Sequence, residues 1–183
     1  MTIVDEFVAA MRGCVALVMG RREAPSYFDF SQKGLVGSLI AVLVTLGITA
    51  YWPLVAGVPL PPGSATQSVL LNGMLFVAQA GTGFLALRQM GRQDGFIPYL
   101  VASNWVTLFV ALISPFTYLL GPAGILVVLL IVVIAITTFI NVGRLIVTLK
   151  PMQIGLLFLS QAVGVFLAIV VLGLFLGPVL PSS

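Results

Sequence analysis

Histidine is absent from the 183 residues, cysteine occurs once, and Asp, Glu, Lys and Arg together make up 7% of the chain. Each scarcity excludes something. With Cys14 alone there is no intrachain disulfide, and without histidine the usual cysteine–histidine metal site cannot be assembled. No stretch has the pattern of a phosphate-cradling glycine loop. A soluble domain carries about 25% charged residues, and one of this size leaves roughly a third of its unfolded surface in water. A chain that is 60% hydrophobic, with a mean hydropathy of +1.21, cannot meet that demand. Lipid is the solvent that fits, and the fold class expected is an all-α integral membrane bundle.

Five apolar segments are long enough to cross a bilayer, at about 34–57, 67–87, 98–120, 122–143 and 152–177, and none contains Asp, Glu, Lys or Arg; a crossing needs about 20 residues at helical rise. The third and fourth are separated only by Gly121-Pro122-Ala123-Gly124, a turn signal within otherwise continuous apolar sequence. That short connection predicts that spans three and four are antiparallel neighbours. Pro98 and Pro151 stand where a helix can begin, whereas Pro115 should kink the third span or end it early. Spans two–three and four–five are each joined by a short charged loop, a topological echo without a demonstrated repeat.

The basic residues Arg12, Arg21, Arg22, Lys33, Arg88, Arg92, Arg144 and Lys150, and the acids Asp5, Glu6, Glu23, Asp29 and Asp94, all fall before span one or in the loops after spans two and four. The loops at about 58–66 and 121–124, and the tail from Pro178, carry no charge. The positive-inside rule therefore predicts a cytoplasmic amino terminus and a carboxyl terminus outside. The net charge of +3 reflects this topology, and no nucleic-acid-binding pattern accompanies it. The acidic start and the short apolar run that follows argue against a cleavable signal peptide.

Residues 1–33 form a cytoplasmic segment ahead of a transmembrane domain at 34–183. Ile3, Phe7, Met11, Val15 and Val18 recur at helical spacing, opposite Asp5, Ala9, Arg12 and Ala16. Such a helix either lies amphipathically on the cytoplasmic leaflet or packs against the bundle; the first is the leading reading. Arg21, Arg22 and Lys33 would then meet anionic headgroups, at about 1 kcal/mol each. Trp52, Tyr51 and Tyr99 fall near span ends and read as aromatic-belt anchors. Trp105 lies deeper and is expected to pack beside Asn104.

Rows of small residues, namely Gly34, Ser38, Ala41, Thr45 and Thr49 on span one, Ala78, Thr82 and Ala86 on span two, and Ser160, Gly164 and Ala168 on span five, are ordinary means for helices to approach closely. The amides at depth stand out within the spans: Gln79 and Gln161 near the middle of spans two and five, and Asn104 and Asn141 in the cytoplasmic third of spans three and four. They are either glue between helices or, with Ser103, Thr107, Thr137 and Thr138, the lining of a polar pathway. Serine and threonine can also satisfy themselves on their own helix. With no histidine in the chain and no Asp, Glu, Lys or Arg in any span, a proton relay, voltage sensor or intramembrane hydrolase lacks its working parts. Neither an enzyme nor a cofactor is expected.

A charged amino-terminal segment, five closely spaced spans and a very short tail resemble the Yip family of small membrane proteins. The lead-in Ala24-Pro25-Ser26-Tyr27-Phe28-Asp29-Phe30 followed by Lys33-Gly34, and Asn104-Trp105 early in span three, look like its bacterial branch. The resemblance implies the five-span fold, a bacterial inner (plasma) membrane and no particular reaction. Two functions remain in view: an accessory or membrane-organising protein whose partners are lipids, other membrane proteins or its own copies, and a small transporter or channel for an uncharged or weakly polar solute.

Overall fold

The computed structural model describes residues 2–176 and is helical throughout, with no strand among those residues. The tail from Pro178, and the carboxyl terminus expected outside, lie beyond the described residues. A short helix α1 (Ile3–Val18) precedes α2 (Gln32–Val55), α3 (Ser64–Gln89), α4 (Phe96–Ile113), the single turn α5 (Phe116–Leu119), α6 (Gly124–Asn141) and α7 (Pro151–Leu176). Five helical stretches are long and apolar enough to cross a membrane: Gln32–Val55, Ser64–Gln89, Gln93–Leu119, Gly121–Ile146 and Pro151–Leu174. They match the five expected spans and make this an integral membrane protein.

Local chemistry sets most of the boundaries. Thr2 and Asp5 form a reciprocal cap on α1, with Asp5 N donating to Thr2 Oγ1 at 3.2 Å and Thr2 N donating to Asp5 Oδ2 at 2.9 Å. Ser31 caps α2. Helix α4 stops at Ile113 and Pro115 begins α5, because a proline cannot supply the N–H that would continue the ladder. The turn after α5 depends on two glycines. Gly121 has φ +53°, and a Cβ on Gly124 would sit 2.1 Å from the Thr117 carbonyl oxygen. Helices α4 and α6 touch directly, as the short turn requires.

Helix α2 packs most extensively on α4, and α3 on α7, with α2 also touching α3. The face α2 buries is Gly34, Ser38, Ala41 and Thr45, and at the α3–α7 contact a Cβ on Gly164 would lie 2.4 Å from Thr82 Cγ2. The small-residue rows are therefore spent inside one molecule. The echo between the two charged-loop helix pairs does not extend to packing. Although α6 and α7 are joined by a turn, α7 turns away to lie on α3.

The core collects at the end where the charged loops lie. Cys14 and Leu17 of α1, Leu87 of α3, Val101 and Trp105 of α4, and Leu157 of α7 are all buried in one cluster. The α3–α4 loop clamps the α6–α7 connection there. Arg92 donates to the Thr148 carbonyl at 3.0 Å, to Thr148 Oγ1 at 2.8 Å and to the Val147 carbonyl. This holds Thr148 at φ +58°, a left-handed conformation that a threonine rarely adopts unaided. A wide π-helical turn, Val142–Ile146, aims the connection towards that guanidinium.

The amino-terminal segment does not stand apart. Helix α1 touches α4, α6 and α2, and it packs through Glu6, Ala10, Gly13, Cys14 and Leu17. Of the apolar stripe read as leaflet-facing, Ile3, Phe7 and Val15 are exposed, while Met11 packs partly against the core. Small residues allow the close approach, and a Cβ on Gly13 would meet the Phe28 ring at 2.7 Å. The helix α1 thus joins the bundle core while presenting an apolar outer face.

Replacing Gly164 by Leu should separate α3 from α7, lowering stability by about 1–3 kcal/mol as overpacking generally does. Gly155, around which a Cβ meets nothing within 4 Å, should accept Ala with no loss. Thermal unfolding of the two variants in detergent, followed by circular dichroism, checks the contrast.

Candidate functional site

The intramembrane amides are the polar groups with most to explain, since an amide in hydrocarbon is costly unless bonded. Asn104 projects from the buried face of α4, 3% exposed, and its Nδ2 donates to Ser38 Oγ of α2 at 3.1 Å. The Ser38 hydroxyl in turn donates to the Leu35 carbonyl at 2.8 Å. Trp105 is buried beside Asn104, as expected, and its ring lies 6.3 Å from that of Phe7 on α1. Asn141, at the end of α6, donates through Nδ2 to the Leu17 carbonyl at 2.7 Å. That carbonyl also accepts from Gly20 N at 3.0 Å, so the amide adds a second, interhelical bond at the end of α1.

Gln161 of α7 donates through Nε2 to the Tyr99 hydroxyl of α4. Tyr99 is therefore no belt anchor. It is 5% exposed, inside the bundle, and its ring end is where α7 reaches α4 across Gly83. A position near a span end suits a belt as well as an interior, and only the partner on α7 distinguishes them. Tyr51, by contrast, is exposed at the far end of α2.

Gln79 differs from the other three. It is exposed on α3, close to mid-span, and its side-chain amide has no hydrogen-bond partner among the described residues. It does not meet Gln161. Thr107, Thr137 and Thr138 donate to the carbonyls of Ser103, Val133 and Ile134 on their own helices. Two open grooves flank the α3–α7 contact. One, of about 670 Å³, is lined by apolar side chains such as Leu46, Met74, Val77 and Leu167. The other holds Gln89 and Ser160. Neither contains any of the four amides.

At the charged end Arg21, Arg22 and Lys33 are all exposed, and Arg21 pairs loosely with Glu23 at 3.9 Å. The buried carboxylate there is Glu6, 7% exposed, with Oε1 lacking a hydrogen-bond partner. Burial first, then the neighbouring Asp29, raises its pKa, and Lys33 lowers it in part. Burial likewise pushes the Cys14 thiol up to about 12. Nothing in the apolar periodicity marked Glu6, because it stands one residue from the expected stripe. Only the run of small residues at Ala10, Gly13 and Cys14 hints at the packed face. No group of three or more His, Cys, Asp and Glu is placed to hold a metal ion among the described residues.

The pairings carry a quantitative expectation. Double-mutant cycles on Asn104 with Ser38, and on Gln161 with Tyr99, should each give a coupling of about 0.6–2 kcal/mol. Gln79 with Gln161 should give none. Unfolding free energies in mixed micelles provide the readout.

The chain matches no protein-family profile, no curated protein sequence and no solved structure.

Proposed function

We propose that this is a non-enzymatic, multi-pass membrane protein with an accessory or membrane-organising role, exercised through helix–helix contacts. The observation that supports it is the fate of the amides. Asn104, Asn141 and Gln161 are each committed to a different neighbour, Ser38, Leu17 and Tyr99. A solute pathway would need them to converge on a shared lumen. Gln79, outward and near mid-span, is the group with capacity left for a partner helix. A primary amide both donates and accepts, so two copies of α3 can satisfy each other about a two-fold axis. A second copy of this chain is accordingly the proposed partner.

The positive-inside asymmetry supports an orientation with α1 and the charged loops on the cytoplasmic side and Arg21, Arg22 and Lys33 at the headgroups, and the resemblance to the bacterial branch supports an inner membrane setting. The exposed apolar face of α1 suits contact with the same leaflet. Five spans preceded by this lead-in are also what membership of the Yip family would require, and that assignment is part of the proposal.

Two measurements on protein reconstituted in vesicles test the reading. Energy transfer between labelled copies should be present in the wild type and fall several-fold in Gln79→Leu, while Gln161→Leu leaves it in place. Flux of small neutral solutes such as glycerol should equal that of empty vesicles. Flux above that background, lost on Gln161→Leu, would make the chain a transporter instead.

A further inference from the structure

Of the five acidic residues, Glu6 alone is buried. Its carboxyl lies against α2 where residue 37 has no side chain. A Cβ on Gly37 would fall 2.2 Å from Oε1, 2.8 Å from Cδ and 2.9 Å from Oε2. The contact is therefore a fitted seat, formed by a glycine and occupied by an acid. Oε1 finds no hydrogen-bond donor in it among the described residues. The charged groups acting on the carboxyl are Asp29, in the turn before α2, and Lys33, at the start of α2. Helices α4 and α6 and the turn Ala24–Tyr27, the other elements against α1, contain no Asp, Glu, Lys or Arg. On α1 itself Asp5 and Arg12 are exposed.

We propose that Glu6 is a proton-controlled latch: with its carboxyl protonated α1 seats against Gly37, and ionisation weakens that seat and releases α1 from the bundle. The rest of the α1 contact is the burial of Ala10, Cys14 and Leu17 in the core cluster, with Phe28 over Gly13, Phe7 beside Trp105, and Asn141 on the Leu17 carbonyl. A carboxylate with an unmatched oxygen is the one member of that set whose cost changes with pH. The sign follows from linkage. The docked pKa is raised, so docking is strongest below the ordinary carboxylate range. It weakens as pH climbs through that range to the raised value, above which it changes no further. The neighbour Asp29, by opposing ionisation of Glu6, sharpens the response.

The chain carries its own reporter. Cys14 is its only cysteine, fully buried on the packed face of α1, so alkylation requires α1 to leave. The full-length protein in vesicles would be alkylated with a maleimide across pH, in the wild type and in Glu6→Gln. Thiolate formation accelerates both alike. The ratio of wild-type to Glu6→Gln rates should rise with pH, tenfold for each unit by which the seat raises the carboxyl. A ratio that stays flat overturns the latch. Two further variants test it without Glu6→Gln. Asp29→Asn should shrink the pH-dependent excess, and an unchanged excess would count against Asp29 as a neighbour. Gly37→Ala should raise Cys14 reactivity at every pH, and protection equal to wild type would show that the seat is not there.

Discussion

The contact between α2 and α4 is the one on which the remaining architecture depends. Lipid tails are as apolar as leucine, so apolar surface alone does not drive helices together in a bilayer. Adhesion comes from close approach and from polar bonds that have no competitor in hydrocarbon. Helix α2 offers both on one face, with Ser38, Ala41 and Thr45 forming a low surface and Ser38 receiving the Asn104 amide. Once α2 and α4 are joined, α4 has further faces for α6 and α1, and α2 has one for α3. Helix α7 arrives last in chain order and is brought to α3 by Thr82 against Gly164 and to α4 by Gln161 on Tyr99.

Much of this was legible because it is written locally. Spans are read from length and apolarity, the α5–α6 turn from Gly121 to Gly124, the end of α4 from Pro115, and the adhesive faces from small residues four apart. What was not legible is direction. In water the apolar stripe of an amphipathic helix marks its buried side. Within a bundle that logic inverts, since lipid accepts the large apolar side chains and neighbours accept the small ones. Helix α1 buries Glu6, Ala10, Gly13, Cys14 and Leu17 and exposes Ile3, Phe7 and Val15, the stripe that the leaflet reading assigns to lipid. The same reasoning explains the amides. Their depth was readable, but the helix each faces depends on which spans adjoin, and consecutive spans need not. Tyr99 could not be assigned for the same reason, because its partner Gln161 lies 62 positions away.

The two ends of the bundle are built differently. At the charged end the chain is held by specific polar bonds, Arg92 on the Val147–Thr148 turn and Asn141 on Leu17, in addition to the core cluster. Towards the opposite end α3 and α7 are largely uncovered, with an open apolar groove between them. Where protein contacts are few, lipid must supply the packing, so the conformation of that half answers to its surroundings while the charged half keeps its shape. Gln79 sits near the boundary between these regimes, which is where a second helix meets least competition from the chain itself.

Helix α1 is the exception within the rigid end. It has no span of its own and one turn fixing its carboxyl end, so its position rests on the matching of a small face to neighbours. A buried carboxylate in that face is hard to explain as adhesion. Replacing it by a residue of similar size without charge would remove a desolvation cost and leave the shape complementarity to Gly37 intact. An acid retained where it opposes docking is instead what a reversible contact requires. The binding of the other residues must exceed the cost of the neutral carboxyl and fall near the cost of the ionised one. Because that difference is set by burial, by Asp29 and by Lys33, all within the same few turns of chain, the balance can be tuned there without disturbing the α2–α4 seam. The apolar outer face of α1 then gains a role, since a released helix needs a lipid surface to lie on.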